Sequence, residues 1–423
     1  MADSSHDLEI DSDRLYETIE KLASYGAFDD PITGARGVNR LALTDTDAQA
    51  RRQVCHWFDE AGLETIIDAV GNMYGVRAGS EPGMAPVVSG SHIDTVPRGG
   101  AFDGALGILA PLEVVRSLND RDLATRRPVI VGVFTNEEGT RFNCDMLGSA
   151  VAAGRIDLDT ALGFKDRDGI TVGEELIRTG FAGEINVSAM RPHAYVECHI
   201  EQGPILGREG LDIGVVTGVQ AIFWHDVKIT GRAAHAGTTP VEYRRDPGVA
   251  ASRINLKLRE LTEESRFGGA LRATMGGCEL SPGAYNVVPS QARASIDVRN
   301  PSDDVMDDVE GELITFYKWV EDKENVKIEW ERVVRTRPID FDPGVQEIIS
   351  SAAGALGLGN REMLSGAGHD AQEWASICKT GMIFIPGEHD GVSHSPREHS
   401  TEAQCANGAN VLLRTLVELA DEA

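Results

Sequence analysis

Lysine is scarce in this chain. Of 40 basic residues among 423, only eight are Lys and the rest are Arg. Against them stand 67 Asp and Glu, for a formal net charge of −27. A field of that sign disfavours nucleic acid and anionic lipid, and it repels an anionic substrate unless a local Arg offsets it. Few Lys with many carboxylates also suggest a high-salt cytoplasm, where screening relieves self-repulsion. This hypothesis about the host predicts unfolding at low salt; full stability without added salt rejects it. Cysteine is sparse too: six, at 55, 144, 198, 278, 378 and 405, with no Cys-x-x-Cys pair. Neither a zinc finger nor a disulfide framework fits that pattern, which leaves reduced thiols packed as small apolar side chains. No apolar run approaches the roughly 20 residues that a membrane span needs. The acidic, polar start from Met1 to Ser12 does not read as a signal peptide. The expected location is the cytoplasm.

What is present begins with one stretch, Gly90-Ser91-His92-Ile93-Asp94 through Asp103-Gly104. The apolar run Ala85–Val88 leads into it as a buried strand. His92 and Asp94 stand two apart, so on an extended chain they share a face. His92 can then ligate a metal with Asp94 behind it orienting the ring. After a Gly- and Pro-rich loop, Asp103 opens a helical pattern of Leu106, Leu109, Leu112 and Val115. The alternative for this stretch is a polar loop with a capping Asp.

Other strand ends repeat the theme. The run 128–134 is continuously apolar, as a central parallel strand is, and ends in Thr135-Asn136-Glu137-Glu138. Ligands of α/β sheets bind at such C-terminal ends. Adjacent side chains diverge, so one carboxylate can ligate while the other moves protons. A further strand, 194–198, delivers His199. A lone His is more often a satisfied core residue, but a third strand-end delivery in one sheet shifts that balance. His394 sits in a polar loop, where a core role does not fit. Ser12 reads as the cap of a first helix, and 63–70 with 73–77 as a hairpin.

At this length two domains are expected. Alternating strands and helices predict a doubly wound α/β catalytic domain with a mainly parallel sheet, over 1–206 and 335–423. Between them, 207–334 changes texture and reads as an inserted α+β domain. His92, Asp103, Glu137, Glu138, His199 and His394 together could serve two divalent ions, with Asp103 bridging. Imidazole and carboxylate without thiolate suit Zn²⁺, Mn²⁺ or Co²⁺. A water shared by such ions is acidified enough to act as a nucleophile.

These segments, with Gly203, Gly231–Pro240, Asn286–Arg299, Gly366–Asp370 and His394–Glu398, resemble in this order the co-catalytic metallopeptidase and aminoacylase superfamily. More closely, the chain resembles the N-carbamoyl-L-amino acid hydrolases, β-ureidopropionases and allantoate amidohydrolases, over about residues 12–420. The resemblance implies a metal-dependent amidohydrolase that cleaves the ureido C–N bond to give amino acid, ammonia and carbon dioxide. It implies His92 and His199 on one ion each, Asp103 bridging, and Glu138 and His394 on opposite ions, with Zn²⁺ the first expectation. Glu137 would be general base and then acid, and Asp94 would support His92. His235 would stabilise the oxyanion from the partner subunit of a homodimer. Gln202, Asn286 and Arg299 would bind the substrate, Arg299 through the substrate carboxylate. The inserted domain would be a ferredoxin-like sandwich serving as lid and dimerisation domain. Allantoate amidohydrolase and β-ureidopropionase remain alternatives, ahead of a dipeptidase or aminoacylase. A non-catalytic metal-binding dimer is less suited, because a binder has no use for an unligated base.

Overall fold

The computed structural model describes residues 8–185 and 190–422. The chain forms two compact units. One comprises the chain up to Gly218 together with Asp340 onward; the other is Val219–Ile339.

The first unit is mixed α/β, built on a nine-stranded mixed sheet. Its strands include β1 (Glu64–Ile67), β2 (Met73–Arg77), β3 (Val87–His92), β4 (Val129–Phe134), β5 (Ala194–Ile200) and β6 (Ile213–Val219). The main run of the sheet is β6, then Lys379–Ile385, then β5, β3, β4, β2 and β1. The four central strands are parallel: Lys379–Ile385 with β5, β5 with β3, and β3 with β4. Antiparallel neighbours flank them, β6 on one side and the β1–β2 hairpin on the other. The central strands are buried along nearly their whole length, as strands covered on both faces must be. Helices Ala105–Asp120 and Glu402–Asp421 supply much of that cover. Leu106, Leu109, Leu112 and Val115 all join the core with Leu412 and Leu416.

Two local expectations shift. The cap of helix Ser12–Ala23 is Asp11, whose carboxylate accepts the Arg14 N–H; Ser12 is the first helical residue. The strand Ile213–Val219 hydrogen-bonds into the large sheet, so residues 207–218 lie with the first unit, after the expected boundary at 206/207.

The second unit has the order βαββαβ: β7 (Ala221–Thr230), helix Pro247–Glu263, β8 (Arg272–Ser281), β9 (Gln291–Asn300), helix Asp303–Glu324 and β10 (Lys327–Arg335). Its antiparallel sheet runs β8-β9-β7-β10. Burial alternates strictly along β7 and β9. Phe223, Val227, Ile229, Ile296 and Val298 pack on Ile254, Leu258, Leu313 and Tyr317 from the helices. The other face carries Trp224, Lys228 and Arg293, all exposed. Beside this sheet, Ala234–His235 pairs with Val287–Val288 in a short antiparallel ribbon.

Candidate active site

Parallel pairing gathers the strand ends. His92, the last residue of β3, is in register with Phe134 at the end of β4. Glu137 and Glu138 follow β4, and His199 sits near the end of β5. Asp103 immediately precedes Gly104, which caps helix Ala105–Asp120 at φ 65°. A Cβ at Gly104 would lie 2.4 Å from His92 Nε2, so only glycine turns the chain here. His394 arrives from the loop between Lys379–Ile385 and the last helix. Asn136, Gln202 and His394 all hold positive φ, at 56°, 55° and 53°. Left-handed backbone at three non-glycine residues in one place marks a site that its surroundings over-determine.

Asp103 is the centre. Its Oδ1 lies 3.1 Å from His199 Nε2 and 3.6 Å from His92 Nε2. Its Oδ2 lies 3.4 Å from His394 Nε2, which is 3.5 Å from Glu138 Oε2. Among the described residues, Asp103 belongs to two groups of donors, each within 4.8 Å: His92, Asp103, His199 and Asp103, Glu138, His394. This differs from the expected division. Both His92 and His199 face the same oxygen of Asp103, while Glu138 and His394 come together on the other side. The ring nitrogens opposite are held by main-chain oxygens, His92 Nδ1 by Asp94 O and His199 Nδ1 by Ile200 O, both at 2.8 Å. The Asp94 carboxylate stands 3.9 Å from His92. It accepts instead from the backbone N–H groups of Glu137 and Glu138, so Asp94 orients the ring through its carbonyl and the two glutamates through its side chain.

Glu137 belongs to neither group, although its Oε2 is 3.4 Å from His92 Nε2. Burial, aided by Asp370 and Glu138 against the opposing pull of His92, raises its pKa well above the usual value. Burial and Asp103 push Glu138 up to about 7. Burial disfavours ionisation of Asp103, but His199, His394 and His92 outweigh it and hold that carboxyl well below its usual range. Asp103, Glu137 and Glu138, all with nearly buried carboxylates, crowd together here. Such an anionic cluster calls for compensating cations. Imidazole nitrogens and carboxylate oxygens, with no thiolate in either group, fit two divalent ions sharing Asp103.

Gln202 donates from Nε2 to Asp103 Oδ2 at 2.7 Å, and its buried Oε1 has no hydrogen-bond partner among the described residues. The remaining expected residues lie in the second unit. His235 and Asn286 share the short ribbon: the Asn286 carbonyl accepts from Ala236 N–H, and both residues are exposed. His235 Nδ1 accepts from the N–H groups of Gly237 and Thr238, which leaves Nε2 to carry the proton of the neutral ring. Arg299 lies on the helix-free face of the sheet and donates to Asp297 from Nε at 2.9 Å and Nη2 at 2.8 Å.

Several participants were not singled out in the sequence. His369 packs edge-on to His199, with ring centres 4.6 Å apart, and burial lowers its pKa well below the usual value. Glu197 forms a further group of possible donors with His199 and His369, within 4.8 Å of one another. Ser393 and Glu398 stand against Asp103. The strand alternation of Glu197 with His199, and the Gly-rich turn ending at His369, were the available signals.

The family model for peptidase family M20/M25/M40 matches residues 88–418, the stretch that carries every one of these groups. The chain belongs to the M20/M25/M40 peptidase family. The M20 family is metal-dependent, in keeping with the two donor groups. Among similar proteins, an N-carbamoyl-L-amino-acid amidohydrolase of Rhizobium meliloti is 38% identical, covering 100% of this chain and 99% of that protein. A ureidoglycolate hydrolase of Arabidopsis thaliana is 36% identical, covering 97% of this chain and 87% of that protein. A crystal structure of a hydantoinase/carbamoylase family amidase from Burkholderia multivorans superposes with a TM-score of 0.90 at 39% identity, covering 98% of this chain and 99% of that one. Among the described residues, no helix is long and apolar enough to cross a membrane.

Proposed function

We propose that this M20 chain hydrolyses the ureido C–N bond of N-carbamoyl-L-amino acids, releasing amino acid, ammonia and carbon dioxide. The observation that carries the reading is Glu137, a buried carboxylate beside the two donor groups but outside both. A protein that only stored metal has no use for such a group. Full-length similarity to an N-carbamoyl-L-amino-acid amidohydrolase selects the bond.

His92, Asp103 and His199 would hold one divalent ion, and Asp103, Glu138 and His394 a second, with Zn²⁺ first and Mn²⁺ or Co²⁺ as alternatives. The ions, when bound, supply Lewis acidity and an acidified water. Glu137 takes the proton of the attacking water and returns it to the leaving nitrogen. Gln202, with Oε1 unpartnered, accepts from a ureido N–H. Arg299 and Asn286 bind the substrate, Arg299 by pairing its guanidinium with the carboxylate. The partner subunit's His235 donates from Nε2 to the tetrahedral oxyanion. The βαββαβ unit is then a ferredoxin-like lid and dimerisation domain, expected from the sequence at 207–334, in a cytoplasmic homodimer. No nucleic acid or membrane partner is part of this reading.

Similarity to a ureidoglycolate hydrolase favours one second reading, in which the ureido group sits on a small hydroxy acid. Allantoate belongs to the same test. Ammonia release is measured across N-carbamoyl-L-amino acids, N-carbamoyl-β-alanine, ureidoglycolate and allantoate. Best turnover of N-carbamoyl-L-amino acids supports the proposal. Turnover confined to ureidoglycolate or allantoate reassigns the substrate, and cleavage of dipeptides alone rejects the ureido class.

A further inference from the structure

We propose that Glu398 is a positioning residue that sets the orientation of the Asp103 carboxylate, acting through Ser393 and the Asp103 main chain. The inference rests on reading Asp103 as the shared ligand of the two donor groups.

Glu398 is 6% exposed and uses both carboxylate oxygens. Oε1 accepts from Phe102 N–H at 2.9 Å and Asp103 N–H at 3.0 Å. Oε2 lies 2.7 Å from Ser393 Oγ, and the same hydroxyl lies 2.8 Å from Asp103 Oδ2. One side chain therefore grips Asp103 at two levels, backbone and carboxylate, from nearly 300 residues away in sequence. The gap that admits it is built in. A Cβ at Gly100 would lie 2.2 Å from both Cδ and Oε1 of Glu398. Any larger residue there would expel the carboxylate.

The geometry separates positioning from mere loop clamping. A clamp needs only the two main-chain bonds. The third contact, relayed by Ser393, reaches Oδ2, the oxygen that faces His394 and Gln202. A carboxylate that must present Oδ1 to two histidines and Oδ2 to a third is sensitive to rotation about its last torsion. Hydrogen bonds to Oδ2 from Ser393 and Gln202 hold that torsion. Burying a second carboxylate beside the first is unfavourable unless each is well hydrogen-bonded. Ser393 has one hydroxyl proton, so donating it to Asp103 Oδ2 leaves Oγ to accept from Glu398, whose Oε2 carries a proton in this arrangement; each contact of Glu398 then leads to Asp103 or its neighbour. Outer partners of this kind commonly govern how well ligands hold a metal.

The test is Co²⁺ titration of metal-free protein, followed by visible absorption, on the full chain. Glu398→Ala and Ser393→Ala should weaken Co²⁺ binding by about 10–100-fold, with Ser393→Ala at the lower end. Glu388→Gln, on the same loop but paired with His399, should leave it unchanged. Should Glu398→Ala not fold, Ser393→Ala decides, because it removes one hydroxyl and none of the main-chain bonds. Wild-type Co²⁺ affinity in Ser393→Ala, or in a folded Glu398→Ala, overturns the inference whether or not the melting temperature falls. A wild-type chain that takes up no Co²⁺ overturns the metal centre as well. Weakened binding in the variants supports the inference even where no ureido compound is cleaved, a result that defeats only the substrate reading.

Discussion

Glu137 Oε2 lies 3.4 Å from His92 Nε2, and both side chains are buried. A carboxylate so close to a ligand set, yet outside both groups, can hold a proton and give it back. Burial raises its pKa well above the usual value, so it holds a proton more readily than an exposed glutamate. Glu137→Gln keeps the shape and removes the proton acceptor. Turnover should fall by at least the roughly 10²–10⁴-fold typical of losing a general base. Metal content, read by elemental analysis, should stay at the wild-type level. Substantial turnover by this variant at saturating substrate would move the base elsewhere.

Arg299 meets its neighbour Asp297 before it meets any substrate. The pair uses Nε and Nη2, and Asp297 also accepts the indole N–H of Trp224. That arrangement aims the guanidinium plane. Lys at position 299 would keep the charge and lose the fork. Arg299→Lys should therefore raise KM for carboxylate-bearing substrates by about 10–100-fold, roughly 1.4–2.7 kcal/mol, the scale of a hydrogen bond to a charged group. Substrates with that carboxylate amidated should show little difference between variant and wild type. An equal defect on both would make Arg299 a structural residue.

Much of this was legible in the sequence, and each failure has its own physical cause. The run 128–134 announced a central strand because burial on both faces leaves no polar alternation to confuse. Strand ends rich in His and Glu announced the site for the same reason: those residues have no place in a core unless employed. The ten-residue strand Arg272–Ser281 was not legible. Gly276-Gly277 interrupts it at a bulge, and as an edge strand it is largely exposed, so no period survives. Which ligands share an ion depends on three-dimensional approach to the two oxygens of Asp103, and spacing along the chain does not encode that. The part of Asp94 was half visible: alternation put it beside His92, but the atom that meets the ring is its carbonyl, which any residue has. Glu398 was invisible as a partner of Asp103 because nothing local links residues so far apart.

Removing the ions should cost stability as well as activity. Without them, the nearly buried carboxylates of Asp103, Glu137 and Glu138 crowd together uncompensated by metal. Exhaustive chelation should abolish turnover and lower the melting temperature. At a free metal concentration 100-fold above Kd, the binding contributes about 2.7 kcal/mol. Adding back Zn²⁺, Mn²⁺ or Co²⁺ should restore both, and the ion that restores the most turnover identifies the best cofactor. A chelated protein with unchanged melting and full activity would defeat the metal reading.

The second unit carries a titratable group of its own. His225 is buried, with Nε2 2.8 Å from Glu310 and Nδ1 3.2 Å from Tyr317 OH, while Glu310 also holds Arg332 at 2.7 Å. Burial lowers the His225 pKa, the attraction of Glu310 notwithstanding. A folded-state pKa below the unfolded one means the unfolded chain binds the proton more readily. The stability involved is fully present above about pH 6.5, the unfolded value, and is lost as pH falls below it. The urea midpoint of wild type should therefore drop more steeply from pH 7.5 to 5.5 than that of His225→Gln, which cannot charge. Parallel curves for the two proteins would show that His225 does not carry the effect.

His235 sits in the second unit on an exposed ribbon, its ring oriented by two backbone N–H groups. If it serves the partner's site, two inactive variants can rescue each other. Glu137→Gln and His235→Ala are purified separately, mixed in equal amounts and allowed to exchange subunits. In a mixed dimer one site receives both defects. The other combines an intact Glu137 from one chain with an intact His235 from its partner. Random mixing makes half the dimers mixed, so roughly a quarter of all sites should work under closed two-fold symmetry. Activity should climb from the baseline of either variant toward that fraction as exchange proceeds, at a rate matching exchange measured with labelled subunits. If His235 acts within its own chain, every site in every dimer keeps one defect. Complete exchange with no recovery of ammonia release would then confine His235 to its own subunit.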